Sequence, residues 1–274
     1  MFDSPARVQF GRIAALSDAR IDLAEAALWI AAEEYPELDV ARYLGRLDEL
    51  AAAARGRVTR AQGVHEKVER LNDFLYREQG FSGNRADYYD ARNSFLNEVL
   101  ERRTGIPITL AIVYVAIAQR LGVPAHGVGF PGHFLVRVER DILVDPFSGS
   151  LLSRSDCEAR MQAAAGAEVP FDERLLEPSP PRQILARVLR NLKQIWLSAE
   201  EWQRALDCAE RILLLAPDSP AELRDRGLLF ARLECFAAAE ADLRRFLALA
   251  PEDAAAEAVR AQLIELARSS PRLH

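Results

Sequence analysis

Apolar residues recur every three or four positions over some stretches of the chain and every second position over others. The two periods separate helix-forming from strand-forming parts. Helical patterning covers residues 18–34, 37–54 and 62–79, interrupted at Pro36 and from Gly56 to Gln62. In the third stretch Val64, Val68, Leu71, Phe74 and Leu75 form one stripe, which leaves the opposite, polar face to solvent. A loop with Gly80, Gly83, Asn84 and the adjacent Tyr88 and Tyr89 leads to a helix at 94–102, for which Asn93 is the expected cap. Gly105 and Pro107 then close that helix and open another, because proline is tolerated at the first helical position. The new helix, 107–121, is apolar nearly all round and is therefore predicted to be buried on most sides. Gly122 and Pro124 end it, and short alternating runs follow at 125–130, 133–139 and 142–145. The expectation is a central helix packed on an antiparallel sheet.

Beyond the stretch Glu177-Pro-Ser-Pro-Pro-Arg182, which cannot continue a helix, the pattern is helical throughout: 182–198, 201–215, 219–233, 236–249 and a final helix at 253–268. Trp202, Ala205, Ala216 and Pro217 recur as Phe236, Ala239, Ala250 and Pro251, each 34 residues later, which is the tetratricopeptide period. Each unit would be two antiparallel helices, with the alanine admitting its partner closely and the proline ending the second helix. Two repeats fall short of the roughly three that an independent solenoid needs, so they are expected to dock on what precedes them. The fold class is α+β followed by an all-α repeat region, with domains at 1–177 and 178–274.

Composition narrows the function classes. Hydrophobic residues make up 50% of the 274 positions and charged residues 28%, the balance of an ordinary globular chain. The apolar run Ala111–Ala118 is far short of the roughly 20 residues of a membrane span. Residues Met1–Phe10 lack the apolar core of a signal peptide, so the chain reads as cytoplasmic, with no membrane partner. The net charge is −6, and from Arg182 onward 14 basic residues meet 14 acidic ones, so the excess lies earlier. A clustered basic footprint for nucleic acid is absent. Cys157, Cys208 and Cys235 show no CxxC spacing, and His65, His126, His133 and His274 assemble no convincing metal site, so neither metal nor cofactor is expected.

Two polar residues stand out among the strands: His133 and Asp145. They share a face of a hairpin only if the residue numbers of paired positions add to an even sum, which requires an odd turn such as Glu139-Arg140-Asp141. An aspartate beside an imidazole orients the ring and stabilises its cation, the usual support for general acid/base chemistry. A structural histidine is the competing reading of such a pair.

Asn93-Ser-Phe-Leu-Asn-Glu-Val-Leu100, Arg103-Thr-Gly-Ile-Pro-Ile-Thr-Leu110, Arg120-Leu-Gly-Val-Pro124, Gly129-Phe-Pro-Gly-His-Phe-Leu-Val136 and Leu143-Val-Asp-Pro-Phe147 resemble the SirB family. The resemblance covers roughly residues 10–268. It implies a transglutaminase-like N-terminal domain with C-terminal tetratricopeptide repeats. In the wider superfamily a buried helix begins with a nucleophilic cysteine, and two later strands supply a histidine and an aspartate, which His133 and Asp145 match. The first turn of the matching helix reads Pro107-Ile108-Thr109, and all three cysteines follow Asp145.

Thr109 is the nearest substitute nucleophile, with His133 as its base, although a hydroxyl there also serves simply to bond nearby backbone. Asn93, Arg103 and Tyr114 are candidates for a polar cleft beside His133. Arg187, Asn191 and Gln194 are candidates for a groove that binds a protein or peptide. The expectation is a non-catalytic, interaction-mediating and regulatory protein. The alternative is a hydrolase or acyl-transfer enzyme that uses the His–Asp pair with a hydroxyl or water. Oligomeric state is left open.

Overall fold

Regular structure starts earlier than the pattern predicts, because Ser4 caps a first helix, α1 (Pro5–Ala14), by accepting from the Arg7 N–H. The computed structural model describes residues 4–165 and 170–269. Asp22 and Asp39 cap α2 (Leu23–Glu34) and α3 (Val40–Val58) in the same way. α4 (Val64–Asn72) widens into a π-helical turn, Asp73–Glu78, where the sequence pattern predicts one continuous helix. After the two-residue strand β1 (Ser82–Gly83) come α5 (Leu96–Arg102) and β2 (Thr104–Gly105), which pairs parallel to β1. The next helix, α6 (Pro107–Arg120), is buried along its whole length from Pro107 to Ala118, as its unbroken apolar surface requires.

α6 packs on a four-stranded antiparallel meander, β3 (Ala125–Val128), β4 (Leu135–Val138), β5 (Ile142–Asp145) and β6 (Ser150–Leu152). The expected runs at 125–130 and 133–139 are thus shorter as strands, and β6 is an addition. β4 and β5 pair Val136 with Val144 and Val138 with Ile142, an even sum that makes the turn Glu139-Arg140-Asp141. Glu139, the first residue of this loop, adopts a left-handed φ of 51°. Val128, Phe130, Leu135 and Leu143 are covered by Cys157 and Met161 of a further helix, α7 (Arg154–Ala165), and by Leu176.

The turn after β5 is fastened from the π-helical segment. The Tyr76 hydroxyl donates to the Pro146 carbonyl at 3.0 Å, and the Asn72 side-chain amide donates to the Gly149 carbonyl at 3.0 Å. Gly149 has φ 74°, and a Cβ there would overlap the Tyr76 ring.

The chain divides into two compact units with the boundary between Val188 and Leu189, inside α8 (Pro181–Ser198). The first half of α8 belongs to the first unit. Arg182 donates to the Ala14 and Leu16 carbonyls there.

The second unit contains α9 (Trp202–Leu215), α10 (Pro220–Arg232), α11 (Phe236–Leu249) and α12 (Ala256–Ser269). Its repeat extends to the backbone. Glu200 and Glu234, 34 residues apart, both take left-handed φ, 58° and 59°. The N–H groups of Glu201 and Cys235 return to the carbonyls of Trp196 and Phe230, also one period apart. Ala205 and Ala239 are fully buried, which is why small residues recur there.

A buried ionic cluster joins α8 to α10 within this unit. Lys193 Nζ lies 2.5 Å from Glu222 Oε2 and 2.7 Å from Asp225 Oδ2, and Arg190 meets the other Glu222 oxygen at 2.7 Å.

Two outcomes follow. Gly149→Ala should cost about 2–4 kcal/mol through left-handed strain and overlap with Tyr76, read as a lower urea midpoint at unchanged slope. Lys193→Met should cost about 3 kcal/mol, because the buried Glu222 loses one of its two cations and is left with Arg190, and adding Glu222→Met should recover part of that loss.

Candidate functional site

His133 and Asp145 meet. Asp145 ends β5 on the face it shares with Leu143, and His133 lies two residues before the start of β4, diagonal to Asp145 in the β4–β5 register. His133 Nε2 is 2.9 Å from Asp145 Oδ1. A carboxylate only accepts, so Nε2 carries the proton and donates. Nδ1 makes no hydrogen bond among the described residues.

Asp145 is 3% exposed and has three donors among the described residues. The Phe147 N–H donates to Oδ1 at 2.9 Å, and Arg160 Nη2 of α7 donates to Oδ2 at 2.9 Å. Burial pushes the carboxyl up, but the bonds from His133 and the Phe147 N–H, with the charges of His133 and Arg160, outweigh it and hold the group at about 2. The Phe147 ring stands edge-on to the imidazole, with centroids 6.4 Å apart, and also meets Tyr88 and the Arg85 guanidinium. A Cβ on Gly83 would fall inside the Phe147 ring, so the β1–β2 ladder sets where that ring lies.

The remaining residues expected at the site are employed differently. Thr109 is fully buried in the first turn of α6. Its hydroxyl lies 2.7 Å from the Asn93 carbonyl and 3.1 Å from the Ile106 carbonyl, and it accepts from the Ile106 N–H at 3.3 Å. These are capping bonds, and none goes to His133.

Asn93 does not cap α5, whose flanking residue is Phe95. Asn93 is fully buried, and its amide donates to the carbonyls of Asp87 and Tyr88 and accepts from Asn84 and Arg102, which fastens the 84–88 loop. Tyr114 is a core tyrosine. Its hydroxyl finds no partner among the described residues, and burial pushes the phenol up. Arg103 is exposed, donates to the Gln79 carbonyl at 2.7 Å and lines a separate depression of about 260 Å³ with Gln79, Phe81 and Leu100. The cleft expected from Asn93, Arg103 and Tyr114 is therefore not formed by them, because two of the three are interior residues.

Arg187 also departs from its expected groove. In the first unit it donates to the His133 carbonyl at 2.7 Å and stacks over Phe134. Asn191 is half-buried and Gln194 exposed on α8. The charged pair nearer the middle of that helix, Arg190 and Lys193, escaped the sequence reading. Two bases three residues apart on one helix and the acids Glu222 and Asp225 three apart on another were the available signal.

No thiol is poised for attack. Cys157 lies in the apolar cluster beneath the sheet and burial pushes it up, burial pushes Cys208 up to about 11, and Cys235 is exposed. Among the described residues no three His, Cys, Asp or Glu side chains converge on a metal position, and no helix is long and apolar enough to cross a membrane. His274 lies outside the described residues.

The carboxylate predicts a pH signature. Its folded value, about 2, lies below the ordinary 3.8, so its contribution is complete above pH 4. As pH falls from 4 through 2 the unfolded chain takes up the proton first, and about 2 kcal/mol is lost. The stability difference between the native chain and Asp145→Asn, measured by urea unfolding, should be flat above pH 5 and shrink below pH 4.

Comparison with known proteins places this geometry. Residues 41–190 match the model of the transglutaminase-like superfamily, and residues 192–264 match a tetratricopeptide repeat model. The chain is 40% identical over 269 residues to the UPF0162 protein of Xylella fastidiosa, covering 96% of each. It is 36% identical over 216 residues to the UPF0162 protein of Vibrio cholerae, 76% of this chain and 80% of the relative. To Protein SirB1 of Salmonella typhimurium it is 29% identical over 232 residues, 83% of this chain and 86% of the relative. A transglutaminase-like core carrying a His–Asp pair, followed by tetratricopeptide repeats and aligned over three quarters or more of its length with these relatives, makes the chain a member of the SirB family.

Proposed function

We propose that the chain is a non-catalytic transglutaminase-like scaffold whose repeats mediate protein–protein interaction in a regulatory role. Tetratricopeptide repeats as a class bind proteins, which supports the interaction half of this reading. The scaffold half rests on one observation: the first turn of α6 carries Thr109, whose hydroxyl is consumed in bonds to Asn93 and Ile106. A nucleophile must present a lone pair to substrate with a base in reach, and this hydroxyl is fully buried. The cysteines offer no replacement, since two are interior with raised thiols and the third lies in the repeat unit. In this reading His133, Asp145 and Arg160 are structural. They lock the β4–β5 end and its turn, and Asn191 and Gln194 contribute to the peptide-binding face of the repeats. The setting we assign is the cytoplasm, without nucleic acid, membrane or cofactor.

A second reading has one observation in its favour. The imidazole is oriented by Asp145 through Nε2 and keeps Nδ1 unbonded, the arrangement in which a histidine deprotonates water. One experiment separates the two. Hydrolysis of p-nitrophenyl acetate and ammonia release from a glutaminyl peptide are measured for the native chain and for His133→Ala. The scaffold reading expects both proteins to run at buffer background. A native rate that falls by about 100-fold in His133→Ala would establish the hydrolase instead.

A further inference from the structure

Away from His133, the end of α2, the loop that follows it and the first turns of α3 and α5 enclose a cleft of about 490 Å³. Its walls are strongly one-signed: Glu34, Glu37, Asp39 and Glu98 line it, against the single cation Arg42. The backbone adds to the negative sign. α2 ends here with Glu33 and Glu34 and has no basic residue in its last turn, so its negative pole is not neutralised from within the helix. Glu33 pairs with Ser4 and Arg7, and Glu34 lines the cleft.

Two tyrosines complete the walls. Tyr35 packs edge-on against Phe95, with centroids 5.4 Å apart, and its hydroxyl lies near Glu98; the Tyr43 hydroxyl reaches Glu101 at 3.3 Å, a carboxylate that Arg46 also pairs. Burial, followed by the charges of Glu98 and Glu34, pushes the Tyr35 phenol up to about 12, which fits a pronounced negative field at that wall. Arg92, the other base near Tyr35, is occupied by Asp90.

A separate observation comes from Asn97. This cleft residue is 5% exposed, and its Oδ1 is buried without a hydrogen-bond partner among the described residues. A buried amide oxygen left unpaired is costly, and what it lacks is a donor. Carboxylates, aromatic rings and an orphan acceptor together match one ligand chemistry: a donor-only cation on an apolar stem. Ring faces attract the charge, the acids pair with it, and the amide oxygen takes an N–H.

We propose that this cleft binds an organic cation, a guanidinium or ammonium head on a short aliphatic chain, with Glu98 and Asn97 as its principal acceptors. The head comes either from a free amine or from a basic side chain of a peptide.

Titration calorimetry on the full chain tests this with agmatine as the free cation, Ac-Gly-Arg-Gly-NH2 as the peptide and n-butylurea as a neutral analogue. Saturable binding of either cation with none of n-butylurea supports the site. Agmatine alone assigns a free amine, and tighter binding of the peptide assigns a protein side chain. Glu98→Gln should weaken binding about tenfold, the scale of one charge-assisted hydrogen bond. Arg42→Gln, an exposed change that removes the like charge, should strengthen it severalfold, a gain that damaged folding does not produce. Absence of binding by both cations, equal binding of n-butylurea, or affinities indifferent to both substitutions would overturn the proposal.

Discussion

A single buried carboxylate organises the first unit. Asp145 gives its oxygens to an imidazole, a backbone N–H and a guanidinium, and these donors come from three places in the chain: the approach to β4, the turn after β5, and α7. Each donor alone would be a modest interaction. Together they keep a charge in the interior ionised, because removal from water is offset only when the lone pairs are filled. The turn that follows has no freedom of its own. Its Pro146 and Gly149 carbonyls are held by Tyr76 and Asn72, and Phe147 rests on Gly83. The His–Asp geometry is thus a product of the π-helical segment and the two-residue ladder as much as of the sheet.

The second unit solves a related problem with the opposite balance of sequence and charge. Its helix pairs are spaced by steric economy, alanine at 205 and 239 and a left-handed residue at 200 and 234. Into that apolar framework it places Lys193 between two acids. An ionic cluster of this kind contributes little net stability compared with well-packed hydrocarbon, but it penalises any register of α8 against α10 that separates the charges.

Much of this was legible along the chain, for identifiable reasons. The period of two in the strands tied the facing of His133 and Asp145 to an odd turn, and the register of Val138 with Ile142 meets that condition. The all-round apolarity of 107–118 gave the buried helix, and the 34-residue spacing gave the repeats. α7 was not legible because only Cys157 and Met161, four residues apart, mark its inward side, and with α7 went Arg160. The widening at 73–78 leaves the stripe of Phe74 and Leu75 unchanged, so periodicity alone could not reveal it. Thr109 and Asn93 were ambiguous for a chemical reason. Hydroxyl and amide side chains serve backbone and ligand equally well, and only their partners decide between the two. Helical spacing grouped Arg187 with Asn191 and Gln194, but a long arginine side chain goes where carbonyls are, here those of residues 130 and 133.

The pairing of Val138 with Ile142 also separates what can vary in this hairpin from what cannot. A residue added or removed within 139–141 while that pair holds changes only the loop, and His133 and Asp145 go on facing each other. A slip of β5 along β4 by one residue sends Asp145 to the opposite side of the sheet from His133, whereas a slip of two keeps the side but moves the carboxylate along the strand, away from the ring. The ion pair therefore constrains register and not length: homologues with shorter or longer loops retain it wherever this pairing is kept, and a one-residue bulge within β4 or β5 is the change that breaks it.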